Sequence, residues 1–333
     1  MKAPVSIWIL AARTDLPYML QTIPHLMRAC NYPFTERVLA IDSAPLTVDK
    51  LRRYATGSQE ELKSACQKLV DLKVIDRIAE IDYDPALIKK VYQKYFGTEQ
   101  AKLMLNHTHN WKGSTIYASL YCIEASASDY YLHFDADMLL HQDQGNDWIS
   151  EAIELMESIP TIVATRPLCG PPHPEGKVLY SRPAEDPRGF YPHNSFSMRA
   201  YLVNKQRFPE LSPIPLMWKY YPLLSRYLPS PLQSVFASVE RKLRRQVKPI
   251  KGALESFEVT SSQRLEETSF VRADLSSTKA WTIHPPDHGP EFIKALPQLI
   301  SLIEQGKFPL DQAGFYDLLL NEWSDLLNIS ISE

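Results

Sequence analysis

Cysteine is scarce in this 333-residue chain. The four present, Cys30, Cys66, Cys122 and Cys169, are widely spaced and form no C-x-x-C pair. That argues against a thiolate zinc site and suits the reduced thiols of a cytosolic protein. Long uncharged runs are missing too, and no segment reaches the roughly 18 apolar residues of a membrane-spanning helix. The early apolar stretch "VSIWILA" is only strand length, lacks a small-residue cleavage pattern and soon meets Arg13 and Asp15, so no signal peptide is expected. A surplus of positive charge is also absent: 36 Lys and Arg stand against 39 Asp and Glu, for a net charge of −3 and a pI near 6.3. Without a general attraction to nucleic acid, any anionic ligand must be met by local groups. Internal repeats are lacking. What is present is ordinary for a globular protein, 44% apolar and 23% charged residues, which excludes disordered and fibrous classes and leaves room for one large domain or two.

The periodicity alternates. Val5 to Ala11 reads as a strand and is followed by Leu16, Met19, Leu20, Ile23, Leu26 and Met27 at helical spacing, with Thr14 or Asp15 as cap. "RVLAID" repeats the strand pattern and ends in Asp42; "SQEELKSACQKLVDL" reads as a helix and "KVIDRIAEIDY" as a strand. Such alternation predicts a parallel sheet with crossover helices. After the loop "NHTHNWKG", a helix opened by Ser114 runs into a strand that carries Asp135 and Asp137, and "DWISEAIELMES" and "TIVATR" give another helix and strand. Residues 167–192, rich in proline and glycine, read as a flap without regular elements. "NSFSMRAYLVNKQRF" suggests an antiparallel strand and a short helix. "KAWTIH" reads as a strand, and residues 290–304 and 311–327 as helices. Residues 213–250 mix Trp, Tyr and Leu with Lys and Arg and are broken by prolines. They read as a helical insertion, or as an interfacial segment that sets Arg241, Lys242, Arg244 and Arg245 against anionic headgroups.

The stretch "YYLHFDADMLLH" places Asp135 and Asp137 one residue apart. In an extended chain Tyr131, His133, Asp135 and Asp137 share one face, and Tyr130, Leu132, Phe134 and Ala136 the other. Two neighbouring carboxylates raise each other's proton affinity unless a cation or strong donors offset the repulsion. Mg²⁺ or Mn²⁺ suits such a pair, because each needs only one or two protein carboxylates and takes water and phosphate oxygens for the rest. The plainer alternative is a turn beginning at Asp135 with Asp137 solvated. Position favours the first, since ligands of open α/β sheets lie beyond the carboxyl ends of strands, where Asp42 and both aspartates fall.

The stretch "NWKGSTIYASLYCIEASASDYYLHFDAD", preceded by "VSIWILA" and "VLAID", resembles the nucleotide-sugar-dependent glycosyltransferases of the GT-A fold, family 2 in particular. The resemblance spans roughly residues 5–205 and implies a Rossmann-like, mostly parallel central sheet flanked by helices. Residues 1–205 would form the nucleotide-sugar-binding core, and residues 206–333 an α-rich acceptor side that includes the insertion. Asp42 would contact the base or ribose, and Asp137 the metal, Mn²⁺ or Mg²⁺, that bridges the diphosphate. Asp135 would lie near ribose or metal, and Gly113 would admit the nucleotide closely. The catalytic base would be Glu258, with Glu255 second. His284 would complete the metal shell, Arg199 would meet diphosphate or acceptor, and His107, His109 and Trp111 would line the sugar pocket. The implied partners are a UDP-sugar first among nucleotide-diphosphate sugars and a glycan, lipid or small-molecule acceptor. The implied setting is the cytoplasm, with membrane contact through residues 213–250. Departures from the family pattern are Ser43 where a second Asp is usual, and Arg13 and Asp15 in place of an Asn-Glu pair.

Three rivals stand beside this reading. An iron oxygenase would use His133, Asp135 and His193, although that chemistry normally sits in an all-β barrel. A nucleotidyltransferase would want a glycine-rich phosphate loop after the first strand, and residues 11–16 contain no glycine. A non-catalytic nucleotide-sugar-binding protein would keep the metal site without a base.

Overall fold

The computed structural model describes residues 2–44, 57–176, 183–219 and 254–327. Its framework follows from strands whose two faces are both apolar. In β1 (Val5–Ala11), Val5, Ile7 and Ile9 enter one core and Trp8 the opposite one. In β2 (Glu36–Ile41), Leu39 and Ile41 part in the same way from Val38 and Ala40. In β4 (Tyr130–Asp135), Tyr130, Leu132 and Phe134 face the first core and Tyr131 the second. Strands buried on both faces need helices on both sides.

With β3 (Arg77–Glu80), β6 (Ile162–Arg166), β8 (Phe190–His193), β9 (Ala200–Asn204) and β10 (Val271–Leu275), these form an eight-stranded sheet ordered β3-β2-β1-β4-β9-β6-β10-β8. β9 and β8 run against their neighbours, and the other pairings are parallel. One face carries α1 (Met19–Cys30), α2 (Gln59–Asp71), α6 (Trp148–Ser158) and α8 (Pro290–Glu304). The other carries α3 (Pro85–Phe96), α4 (Thr98–Met104), α5 (Tyr117–Ala125) and α7 (Phe257–Glu266). This is the mixed α/β architecture with a mostly parallel central sheet expected from the sequence. β10 enters the sheet beside β6, so the sheet draws on residues from both sides of position 205.

A three-stranded sheet, β5 (Leu139–Gln142), β11 (Ala280–Ile283) and β7 (Leu168–Cys169), packs below. Because β11 pairs antiparallel with β5, Ile283 opposite Leu139, the residue after β11 is delivered beside the turn that carries Asp137.

Several local expectations differ from the structure. The strand ends at Asp135, and Asp137 sits in the turn that carries the chain from β4 to β5, closed by the Met138 N–H donating to the Asp135 carbonyl at 3.2 Å. Ser114 does not open a helix. Its N–H and carbonyl are used by Asn110 in a tight turn, and α5 starts at Tyr117 with the Thr115 hydroxyl accepting from the Ala118 N–H. The flap contains β7 and the start of β8, with residues 177–182 outside the described set. Residues 311–327 form no single helix, only 3₁₀ turns and one short helical turn. Residues 314–318 are drawn out instead to dock on the end of β11: the His284 N–H donates to the Tyr316 carbonyl, and the Leu318 N–H to the His284 carbonyl. Gly170 admits that strap. Its φ is +79°, and a Cβ there would lie 2.4 Å from the Phe315 carbonyl oxygen. Helices α3 and α4 and strand β10 were not foreseen. Most of the insertion read over 213–250 lies outside the described residues, which end at 219 and resume at 254.

Candidate functional site

The carboxyl ends of β1, β2 and β4 open on one cleft of about 650 Å³. Register sets its floor: Ile41 pairs with Ala11, and Asp135 with Leu10, so Asp42 and Asp135 emerge on either side of the end of β1. Asp42 is held from three sides. Tyr83 donates its hydroxyl at 2.7 Å, the His109 ring lies at 2.9 Å, and the Ala44 N–H donates at 3.0 Å. Burial alone would raise the Asp42 carboxyl, but the hydrogen bonds from His109 and Tyr83 outweigh it and hold the group below its ordinary value.

Asp135 and Asp137 are unlike each other. The Asp135 side chain is 44% exposed, with Oδ1 3.1 Å from His133 Nε2. Asp137 is 8% exposed. Its Oδ2 lies 2.9 Å from His288 Nε2 and 3.8 Å from His284 Nε2, while its Oδ1 is buried with no hydrogen-bond partner among the described residues. An unpartnered buried carboxylate oxygen is costly unless something else engages it. His284 is fixed by Asp317, Nδ1 to Oδ1 at 3.0 Å; its burial, which outweighs the pull of Asp137, keeps it below the usual imidazole value. Its Nε2 is thereby left facing Asp137. Among the described residues no group of three or more His, Cys, Asp or Glu side chains forms a ready metal cage. The donors near Asp137 nonetheless fit a hard cation that takes its remaining oxygens from solvent and phosphate.

The opposite wall comes from the far end of the chain. Glu255 is buried, with Oε1 3.3 Å from Lys219 Nζ, and Lys219 lies over the Trp111 ring at 4.6 Å. Ser256 caps α7 by accepting from the Val259 N–H, which sets Glu258, exposed, in the first turn. Arg199 precedes β9, and its carbonyl accepts from the Asp135 N–H at 2.7 Å. Its guanidinium reaches Asp317 at 3.3 Å.

The structure therefore brings Asp42, Asp135, Asp137, Arg199, Glu255 and Glu258 to one cleft. Gly113, at φ +81°, lies buried within the turn between Lys112 and Ser114, and those two neighbours line the cleft. His284 stands behind Asp137. Trp111 lines the wall, His109 serves Asp42, and His107 packs edge-on against Trp218. The oxygenase trio does not converge: His133 meets Asp135 through Nε2 and the Trp8 carbonyl through Nδ1, but His193 lies on β8 beside Asp274, in another cavity. Reading the sequence missed His288 and Tyr83. It also missed Tyr18, which stacks on His288 with ring centres 4.7 Å apart. The spacing His284-x-x-x-His288 was the available signal for His288.

No family model and no curated protein matches the chain. Among solved structures it is similar to GalNAc-T7, crystallised with UDP, GalNAc and Mn²⁺, at 10% identity and a TM-score of 0.46, over 86% of this chain and 44% of that one. It is also similar to S. aureus TarS 1-349, at 10% identity and a TM-score of 0.38, over 90% of this chain and 65% of that one. The chain spans less than two thirds of either. Its own strand order establishes the fold described above, and the cleft's own residues carry the chemistry.

Proposed function

We propose that this chain is a glycosyltransferase that moves a sugar from a nucleoside-diphosphate donor, a UDP-sugar first, to an acceptor hydroxyl, with Mn²⁺ or Mg²⁺ and with inversion. The observation that carries the reading is the convergence of Asp42, the Asp135/Asp137 pair and Glu258 on one cleft, with Asp137 Oδ1 buried and unpartnered among the described residues. Asp42, fixed by Tyr83 and His109, accepts from the base or ribose. Asp137 would hold the cation, with Asp135 and His284 beside it. That cation would supply countercharge for a leaving diphosphate. Across the cleft Glu258 takes the proton from the acceptor hydroxyl as its oxygen bonds to the anomeric carbon. The bond from that carbon to the diphosphate oxygen breaks, and the electron pair leaves with the nucleoside diphosphate. Residues before 205 thus supply the donor end and residues after 206 the base. The acceptor is a glycan, a lipid or a small molecule. Among the described residues no helix is long and apolar enough to cross a membrane.

The test is nucleoside-diphosphate release from UDP-, GDP- and dTDP-sugars with and without Mn²⁺. Metal-dependent release with one nucleotide class is expected, and Asp137→Asn should cut it by about 10² to 10³, as loss of a group that stabilises developing charge does. Absence of both release and binding for every donor would overturn the reading.

A further inference from the structure

A second cavity, of about 540 Å³, adjoins the cleft, and Arg199 and Glu258 line both. Its size suits a sugar-sized ligand. Arg166, at the end of β6, and Arg272, on β10, form its inner wall and are 6% and 3% exposed. Both guanidiniums share one carboxylate. Arg166 gives Nε and Nη2 to Asp274, and Arg272 does the same while its Nη1 donates to the Ser195 carbonyl. His193 Nε2 lies 3.3 Å from the same Asp274. Two guanidiniums against one carboxylate leave one net positive charge at the inner wall. Burying an unbalanced charge is expensive, and arginine is the side chain whose forked donors recognise carboxylate and phosphate groups. Toward the mouth stand Arg199, paired with the exposed Asp317, and Glu258, so the positive excess is local to the inner wall and the negative charge lies at the opening. Tyr316 supplies an aromatic face, with the Arg166 guanidinium 5.4 Å from its ring centre.

Resting on the glycosyl-transfer reading, we propose that this cavity is the acceptor site and that the acceptor carries an anionic group, carboxylate or phosphate. That group is bound by Arg166 and Arg272 while the acceptor hydroxyl meets Glu258 in the opening shared with the cleft. The arrangement separates the substrates by charge recognition. The donor diphosphate is received at the aspartate side, and the acceptor anion at the arginine side.

The experiment is calorimetric titration of the full chain with para-nitrophenyl glucuronide, its neutral twin para-nitrophenyl glucoside, and glucose 6-phosphate. UDP with Mn²⁺ is titrated separately on the same samples. At least one anionic sugar should bind about tenfold or more tightly than the glucoside, the discrimination a charge-assisted contact provides. Whether the glucuronide or the phosphate is preferred identifies the anion. Arg272→Gln should abolish the preference and leave UDP affinity unchanged. Ser195→Glu, at an exposed position on the rim, should do the same without disturbing the buried cluster, and it decides the matter if Arg272→Gln fails to fold. Equal binding of charged and neutral sugars, no binding of either anionic sugar, or a preference that survives Ser195→Glu would overturn the proposal. Charge preference without UDP binding would instead keep the anion site and remove the donor reading.

Discussion

Glu255 and Glu258 are three residues apart, but their surroundings differ in a way that sequence could not resolve. Glu255 is buried against Lys219, so its carboxylate is neutralised where it stands. Glu258 is exposed and lines both cavities, with the Met198 N–H at 3.4 Å as a contact. A base must reach the acceptor proton and must not be tied to a cation. Glu258→Gln should therefore lower kcat by about 10² to 10⁴ with the donor KM little changed. Glu255→Gln should act mainly on KM, through release of Lys219. Steady-state kinetics on both variants checks this, and equal kcat losses would remove the assignment. The aspartates at strand ends were legible because alternation along a strand and the position of its carboxyl end are local properties. The supports of Asp42 were not: Tyr83 and His109 lie 41 and 67 residues away, and only the folded sheet brings them to its carboxylate.

Between elements, two polar joints hold the layers. His25 on α1 accepts the Leu140 N–H of β5 at Nε2, 3.1 Å, and faces Glu304 of α8 through Nδ1, 2.8 Å. Burial, ahead of the opposing pull of Glu304, lowers the His25 pKa below 6.5. The unfolded chain therefore takes up this proton at a higher pH than the folded chain does. Stability from His25 is complete above about pH 6.5 and declines as pH falls from there toward the lowered folded value. Urea midpoints should drop between about pH 7.5 and 5.5, and the drop should be shallower in His25→Gln; an identical slope would refute the joint. The second joint is Asp274, which ties β6 and β8 to β10. Burial by itself would raise its carboxyl, and the Arg166 and Arg272 guanidiniums overcome that and hold it far below the usual range. Asp274→Asn should cost about 3–5 kcal/mol in urea unfolding, because both guanidiniums stay buried without their counter-ion. Elements with strong local period, β1, β2, β4, α6 and α8, could be read from sequence. The stretch 311–327 could not, since its helical period is overridden by backbone pairing with the end of β11 and by the space that Gly170 leaves.

Over the whole molecule, the sheet explains why so much of the site was visible early. Parallel strands point their carboxyl ends to one edge, so residues that end β2 and β4 must meet. The reverse strands and the small lower sheet were less legible, because nothing local in "KAWTIH" says that it pairs with β5 and carries His284 to Asp137. On the proposed reading, the same geometry would make the cation and the nucleotide one thermodynamic problem. If phosphate oxygens complete the shell around Asp137, each ligand should bind better in the presence of the other, and ligands that bind only the folded chain stabilise it by mass action. At a hundredfold excess over Kd that amounts to about 2.7 kcal/mol, or about 4 °C in Tm for a chain of this size. UDP with Mn²⁺ should give such a shift, and the sum of the shifts from UDP alone and Mn²⁺ alone should be smaller. Asp137→Asn should reduce the joint shift to that sum, and Arg272→Gln should leave it intact, since the arginine cluster faces the other cavity. Shifts that simply add in the unsubstituted protein would mean that cation and diphosphate do not share ligands at Asp137.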